Sequence, residues 1–250
     1  MSLSSVQNLN SLPQIARSGV GVAKVSVWDV GTPERQRETI EAISKVWGSR
    51  EWPDEGLLSY SVYIGEDGKS LLHYTQWADE ATHAAFLRAG RAARFDEVDA
   101  AVPGIERLGL YTYELYRSTP LGQVAGRVPG CVVIVDVEFE EPDPARQRDW
   151  VDTVFEALDG GTSHALKAMG EDPHPHPGGI SGHFHVSTDG TRVLNYAEWE
   201  SADAHIEALA GPGDGVGSPT PQWTKVRTYP GVTGGGVKRY TPALSFSAGV

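Results

Sequence analysis

The chain is poor in cysteine, since Cys131 is the only one among 250 residues. A single cysteine cannot form an intramolecular disulfide, so the protein has no need of an oxidising compartment. Residues 1–20, which we predict to be an N-terminal extension, are rich in Ser and Asn and lack the basic start and apolar block of a secretory signal. We therefore expect a cytoplasmic protein.

Long apolar runs and an excess of basic residues are also missing. The longest uninterrupted apolar run, residues 131–135, is far shorter than the roughly 18 residues that a membrane-spanning helix needs. Lys and Arg total 21 against 33 Asp and Glu, and the net charge of −12 repels phosphate backbones and anionic lipids. We expect neither nucleic acid nor a membrane as a partner.

Sequence signatures of common cofactor sites are absent as well. The glycine cluster at residues 231–236 contains no GxGxxG, and the chain has no GxSxG, HExxH or paired CxxC. We therefore expect no nicotinamide, flavin or zinc cofactor. The 40% of apolar and 22% of charged residues are typical of a folded globular chain.

What the sequence does contain is an internal repeat. Leu71–Trp77 resembles Val193–Trp199 at an offset of 122 residues. Pro33–Glu38 resembles Pro144–Asp149 at an offset of 111 residues. Two blocks that recur in the same order indicate a duplication.

The two offsets differ by 11 residues, which fits an insertion in the later copy. We predict it at residues 169–179, where the sequence MGEDPHPHPGG interrupts that copy. The first repeat is predicted at residues 21–117, the linker at 118–129, and the second repeat, with its His- and Pro-rich insertion, at 130–250.

Each copy follows the same order of predicted elements. A β-branched run that ends in a Pro-containing turn is typical of a strand, and the apolar spacing after it is helical. Two further runs flank an Asp-Gly turn, as in a hairpin, and a second helix and a last strand follow. In the first copy we predict strands at 21–30, 57–64, 71–77 and 108–117, with one helix after Pro33 and another at 79–94. In the second copy we predict strands at 130–139, 183–186, 193–199 and 237–246, with helices at 150–158 and 202–209.

The resulting order, βαββαβ, is that of the ferredoxin-like fold. Such a sheet carries helices on one face, and its other, apolar face must pack on something. The duplication supplies a partner within the same chain. We therefore predict an α+β protein of two tandem ferredoxin-like repeats, packed sheet to sheet as a pseudo-dimeric α/β barrel, that is a monomer or a homodimer.

In both copies the third strand ends in Trp and is followed by an Ala-rich helix with a His near its start. In this motif the chain resembles the antibiotic biosynthesis monooxygenase family and is similar to two members joined in tandem. The resemblance implies a dimeric α/β barrel and cofactor-independent oxygenation of an aromatic polyketide by O₂ in secondary metabolism. Haem-degrading relatives place a His ten residues after the Trp, where this chain has Leu87 and Leu209, so haem is disfavoured.

The resemblance also implies site residues. Quinone-forming members carry an Asn and a Trp separated by three residues on this strand, as Asn195 and Trp199 are. Alternate strand residues share a face, so both side chains can reach one pocket as neutral donors, and we predict that both are catalytic. The first copy has His73 and Trp77 instead, which we assign to substrate binding. This departure favours one working site in the second copy, although the reverse stays open.

Two further residues complete the predicted substrate-binding set. His205, six residues after Trp199, matches the position of a Tyr that contacts substrate in some members of the family, and a half-exposed helix His is the alternative interpretation. Tyr196 lies on the opposite strand face, where packing between sheets is the simpler interpretation. Trp77 and Trp199 themselves are open to interpretation as core residues.

The second copy is also rich in His. His183 and His185 lie two residues apart on a predicted strand and therefore share a face. We predict that one of them accepts a proton from the substrate, which adds both to the catalytic set. A metal site is disfavoured, because no carboxylate or Cys of recognisable spacing accompanies the pair.

We therefore expect a cofactor-free monooxygenase that oxidises a polycyclic phenol or anthrone-type polyketide to a quinone. One alternative is an aromatic polyketide cyclase on the same scaffold, in which the same groups stabilise an enolate. The other is a non-catalytic ligand-binding module, in which the duplication serves only stability.

Overall fold

The computed structural model describes residues 6–7, 12–53, 56–89, 91–121, 126–169, 178–210 and 217–247. The chain divides into two compact units. The first takes in residues 1–114 and 240–250, and the second takes in residues 115–239. Most of the predicted insertion lies outside the described residues.

The first unit contains one antiparallel sheet and three helices. Its strands pair in the order β9, β3, β4, β2, β5, so that the last strand of the repeat lies beside its first. The elements are β1 (Val6–Gln7), β2 (Val22–Asp29), α1 (Pro33–Gly48), β3 (Leu57–Gly65), β4 (Ser70–Trp77), α2 (Glu80–Ala89), α3 (Arg91–Ala101) and the first part of β5 (Glu106–Pro120).

The second unit repeats this arrangement. Its strands follow the order β5, β7, β8, β6, β9. The elements are the end of β5, β6 (Cys131–Phe139), α4 (Pro144–Met169), β7 (Gly179–Ser187), β8 (Arg192–Trp199), α5 (Ala202–Ala210), α6 (Pro221–Arg227) and the first part of β9 (Val232–Ser247). The predicted α+β class, with a ferredoxin-like order of strands, is confirmed.

Two long strands are shared by the units. Residues 106–113 of β5 pair with β2 in the first unit, whereas the end of β5 lies beside β7 in the second. Likewise, β9 begins beside β6 in the second unit, and its residues 240–247 pair with β3 in the first. The sequence placed each last strand within its own repeat, because periodicity reports the faces of a strand and not its neighbours.

Side-chain caps set the starts of the helices. Thr32 accepts the Arg35 N–H at 3.3 Å before α1, and Thr220 accepts the Trp223 N–H at 3.2 Å before α6. In both cases a Pro follows the cap, where its missing N–H costs nothing. Within the described part of the chain, no helix is both long and apolar enough to cross a membrane.

Several elements differ from the sequence prediction. The second helix of the first copy is divided into α2 and α3. Helix α4 has 26 residues against 16 in α1, so it continues well beyond the predicted helix at 150–158. Strand β7 begins at Gly179, four residues before the predicted start, because two glycines within it obscure its pattern. Helix α6 was not predicted, since its seven residues are too few to show a period.

A buried glutamine ties the first helix of each unit to the hairpin beside it. Gln36 Nε2 donates to the carbonyls of Gly65 and Ser70 at 3.0 and 2.8 Å. Gln147 Nε2 donates to the carbonyls of Ser187 and Arg192 at 3.2 and 2.6 Å. The two units thus repeat one polar contact at equivalent positions.

We expect Gln147→Leu to lower the free energy of unfolding by about 1–3 kcal/mol, because it removes the buried amide that donates to the Ser187 and Arg192 carbonyls. Urea unfolding followed by circular dichroism measures this loss. Arg37→Leu, at a side chain that is 63% exposed, should change the stability by less than about 0.5 kcal/mol. Equal losses in the two variants would show that the glutamine contact contributes nothing specific.

Candidate functional site

The second unit encloses a cavity of about 290 Å³, which we call the second-unit cavity. It lies between the sheet of the unit and its helices, and its walls are mainly aliphatic and aromatic. Its lining includes Trp150, Gly182, Phe184, Asn195, Trp199, His205 and Trp223. A cavity of this size and lining is suited to a fused aromatic ring system.

Strand β8 supplies one wall of the second-unit cavity. Asn195, Ala197 and Trp199 all line it, as the two-residue period of a strand requires. Trp199 is only 3% exposed, yet open space remains beside it. The structure therefore brings Asn195 and Trp199 together at one cavity.

Three polar atoms in the wall of this cavity lack a hydrogen-bond partner among the described residues. They are Asn195 Oδ1, Trp150 Nε1 and Trp223 Nε1, and all three are buried. Burying such an atom without a partner costs about 1–3 kcal/mol, so native proteins seldom do it without a reason. The wall is therefore prepared to exchange hydrogen bonds with a polar ligand.

Trp150 and Trp223 were not predicted as site residues. The spacing around Trp150 predicts a helix and no more, and helix α6, which carries Trp223, was not predicted at all. Both indoles are 6% exposed and belong to the cluster that packs α4 and α6 on the sheet. In the sequence, no signal separates such a Trp from an ordinary core residue.

His205 on α5 lines the same cavity, as the sequence predicted by position. Its ring meets the Trp199 indole edge to face, with centroids 4.9 Å apart at 71°. Arg239 Nε donates to His205 Nδ1 at 3.0 Å. Burial, and to a lesser extent the Arg239 charge, lowers the pKa of His205 to about 4, so the imidazole is neutral at pH 7.

His183 and His185 lie on the other face of the sheet, and this corrects the prediction that they serve the pocket. Phe184 pairs directly with Asn195 and shares its face, so the residues on either side of Phe184 point away from the cavity. Neither histidine lines the cavity. They are therefore wrongly placed to accept a proton from a ligand bound there.

Both of these histidines form hydrogen bonds with neighbouring groups of the protein. His183 Nδ1 lies 2.9 Å from Ser118 Oγ, and its Nε2 lies 3.0 Å from Ser181 Oγ, which donates to Glu198 at 2.5 Å. His185 Nδ1 donates to the His183 carbonyl at 3.1 Å. Burial lowers the pKa of His185 to about 4.

Tyr196 lies on the same face of the sheet as His183 and His185. It alternates with Asn195 along β8, is fully buried, and has its ring centroid 6.2 Å from that of His183. The assignment of Tyr196 to substrate binding does not fit the second-unit cavity. Packing, the simpler interpretation, agrees with its position.

The first unit has a cavity in the corresponding place, which we call the first-unit cavity, but it measures only about 80 Å³. His73 and Trp77 line it, as Asn195 and Trp199 line the other. The centroid of the His73 ring lies 3.9 Å from that of Trp28, with the rings tilted by 32°, and His73 Nδ1 lies 2.8 Å from the Tyr60 hydroxyl. Burial lowers the pKa of His73 to about 3, so this ring is neutral.

Side-chain size explains why the two cavities differ. At the repeat offset, Tyr60 corresponds to Gly182, and Thr75 corresponds to Ala197. Thr75 Oγ1 also accepts the Trp77 indole N–H at 2.8 Å, a bond for which Ala197 offers no acceptor. The second unit thus has smaller side chains at these two positions, which leaves a larger cavity. The predicted substrate-binding role of His73 and Trp77 has correspondingly little room in the first unit.

No three His, Cys, Asp or Glu residues in the described part of the chain lie close enough together to hold a metal ion. Among the described residues that line the second-unit cavity, the ionisable side chains are His205 and Arg227. The chemistry that this wall offers is therefore hydrogen bonding and the exclusion of water.

Known proteins resemble this chain in structure, but the sequence comparisons found no match. No protein-family profile and no curated protein matches the chain. A protein described as anthrone oxidase-like superposes with a TM-score of 0.61 at 19% identity, over 92% of this chain and 94% of that one. A candidate monooxygenase from Fusobacterium nucleatum subsp. nucleatum superposes with a TM-score of 0.57 at 8% identity, over 94% and 98%.

A third structure, a candidate monooxygenase from Lactobacillus acidophilus, gives a TM-score of 0.52 at 12% identity, over 91% of this chain and 96% of that one. All three superpose along nearly the whole of both chains. At these identities the likeness establishes the fold, and the chain shares the α+β fold of these three proteins.

Proposed function

We propose that the protein is a monooxygenase that needs no cofactor and oxidises a polycyclic phenol or anthrone-type aromatic to a quinone. The observation that carries the proposal is the second-unit cavity, which is mainly apolar and is lined by the buried polar atoms of Asn195, Trp150 and Trp223. Three structures with similar folds are described as anthrone oxidase-like or as candidate monooxygenases, which agrees with it.

The substrate would supply the electrons for this reaction. An ionised anthrone passes one electron to O₂, and the substrate radical and superoxide then combine to form a C–O bond. Protonation gives a hydroperoxide, which loses water to leave a carbonyl. In sum, a ring CH₂ group and O₂ become C=O and H₂O, so atoms and electrons balance without a further reductant.

The protein would hold the substrate anion and keep water away from the intermediates. Asn195 and Trp199 lie on one face of β8 with Ala197 between them, where a carboxamide and an indole can both donate to oxygens of the bound substrate. Fixed donors in an apolar cavity stabilise a developing negative charge more than water does. The aromatic walls would hold the ring between Phe184 and the two tryptophans of α4 and α6.

We further propose that the chain is a tandem pair of units like those of the antibiotic biosynthesis monooxygenases, in which the second unit works. The Trp77–His83 and Trp199–His205 ring pairs have nearly the same geometry, with centroids 4.9 Å apart at 70° and 71°. This recurrence supports a common origin of the units. The difference in cavity size supports the proposal that the second unit is the active one.

Oxygen consumption with a panel of anthrones and naphthols tests the function. We expect one O₂ consumed for each quinone formed, and no quinone under nitrogen. A cyclised product that forms equally well under nitrogen would instead identify an aromatic polyketide cyclase. Saturable binding without any turnover across the panel would identify a ligand-binding module.

A further inference from the structure

Among the described residues, the wall of the second-unit cavity offers no general base suited to neutral pH. Its two ionisable lining residues are His205 and Arg227, and neither a carboxylate, a lysine nor a tyrosine is among the described residues of the wall. The Arg227 guanidinium donates to the carbonyls of Gly217 and Ser218 at 2.9 and 3.0 Å. Of the described residues in the wall, only His205 could take a proton from a bound substrate.

The hydrogen bond from Arg239 decides what His205 can do. Arg239 Nε donates to Nδ1, so the neutral imidazole must carry its own proton on Nε2. In this tautomer Nε2 is a donor to any ligand in the cavity. A proton added to the ring would have to sit on Nδ1, where it would face the guanidinium N–H and a second positive charge.

The corresponding histidine of the first unit has the opposite electrostatic partner. His83 Nδ1 lies 3.8 Å from Glu80 Oε1, on a carboxylate that also accepts from Lys24 Nζ. At the repeat offset, Glu80 corresponds to Ala202, so the second unit lacks that carboxylate and has Arg239 instead. On strand β8 the residue in contact with the His205 ring is Trp199, which carries no charge. Arg239 is therefore the charged group that acts on this ring.

We propose that the second-unit cavity binds its substrate as a preformed anion, an acidic phenol or enol that is already ionised in solution, with its oxygen held by His205 Nε2–H. Arg239 is the positioning residue that fixes this tautomer and places positive charge behind it. The inference rests on the proposed function and specifies the substrate class. It explains how the site can work without a base, because the proton is lost to water before binding.

Anaerobic binding titrations test the inference without turnover. The probes are 2-hydroxy-1,4-naphthoquinone, whose hydroxyl is ionised at pH 7, and its neutral methyl ether, which keeps the same rings. We expect the anion to bind at least about 10-fold more tightly, as a charge-assisted hydrogen bond provides. Equal affinities for the two probes would overturn the proposal.

Arg239→Met removes both the charge and the Nε donor. We expect it to weaken binding of the anion about 10-fold while it leaves the affinity for the ether nearly unchanged. Lys238→Gln is the matched control, because it removes the same charge from an exposed neighbour on β9, and it should keep the preference. Loss of the preference in the Lys238 variant alone, or equal loss for both probes in the Arg239 variant, would contradict the role of Arg239.

The tautomer can be measured independently of any variant. Two-bond ¹H–¹⁵N correlation spectra of the wild-type protein should show His205 neutral, with its proton on Nε2, throughout pH 6–8. An imidazolium, or a proton on Nδ1, at pH 7 would overturn the inference. If the anion is preferred but no substrate consumes O₂, the oxygenase proposal fails and the anion site stands; if O₂ is consumed without an anion preference, the inference alone fails.

Discussion

Replacement of Asn195 by Ala is expected to lower kcat about 100-fold, as does the loss of one fixed donor to a developing oxyanion, while KM changes little. The physical reason is that the carboxamide contributes most when charge localises on oxygen. The buried Oδ1 has no partner among the described residues, so its removal costs the folded state no hydrogen bond. Steady-state oxygen uptake with the best substrate of the panel measures both constants.

Two further variants make this result specific to Asn195. Asn195→Asp keeps the shape but adds a negative charge, so it should impair turnover more than Ala does. Tyr60→Phe is the control, because it removes a hydroxyl from the first-unit cavity and should leave kcat unchanged. Unaltered kcat in Asn195→Ala would remove Asn195 from the catalytic set.

Gly182→Tyr is expected to abolish both binding and turnover while the protein stays folded. A Cβ at Gly182 would meet Asn195 Oδ1 and Phe184 at 3.6 Å, which is ordinary van der Waals contact. The larger side chain would then extend into the second-unit cavity, as Tyr60 does in the first. Its hydroxyl can donate to Asn195 Oδ1, in place of the contact that Tyr60 makes with His73.

The measurements for this variant are ligand titration and thermal unfolding. We expect no detectable binding of the naphthoquinone anion and a Tm at or above that of the wild type, because an empty apolar space has been filled. Gly182→Ala adds only a methyl group and should keep most of the turnover. Full activity in Gly182→Tyr would mean that the reaction takes place somewhere other than the second-unit cavity.

The sequence predicted the architecture and one side of the site because both depend on local periodicity. The repeat offset located the equivalent elements, and the two-residue period of β8 placed Asn195 and Trp199 on one face. His205, which lines the same cavity, was predicted from the resemblance to the monooxygenase family and not from periodicity. Each of these inferences needs only one element at a time.

The incorrect and missing assignments all depend on relations between elements. The face of His183 follows from the register of β7 against β8, in which Phe184 rather than a histidine opposes Asn195. The contact of Arg239 with His205 spans 34 residues and joins β9 to α5. Trp223 reaches the cavity from a seven-residue helix that has no period to detect. Such contacts are set by tertiary packing, which composition and spacing do not encode.

A crystal structure with a polycyclic phenol bound under anaerobic conditions tests most directly whether the second-unit cavity is the substrate site. We expect one ligand in each chain, with its ring between Phe184 and Trp223 and its oxygen within hydrogen-bond distance of Asn195 and His205. A ligand bound only in the first-unit cavity or on the surface, with the space beside Trp199 empty at saturation, would contradict the account.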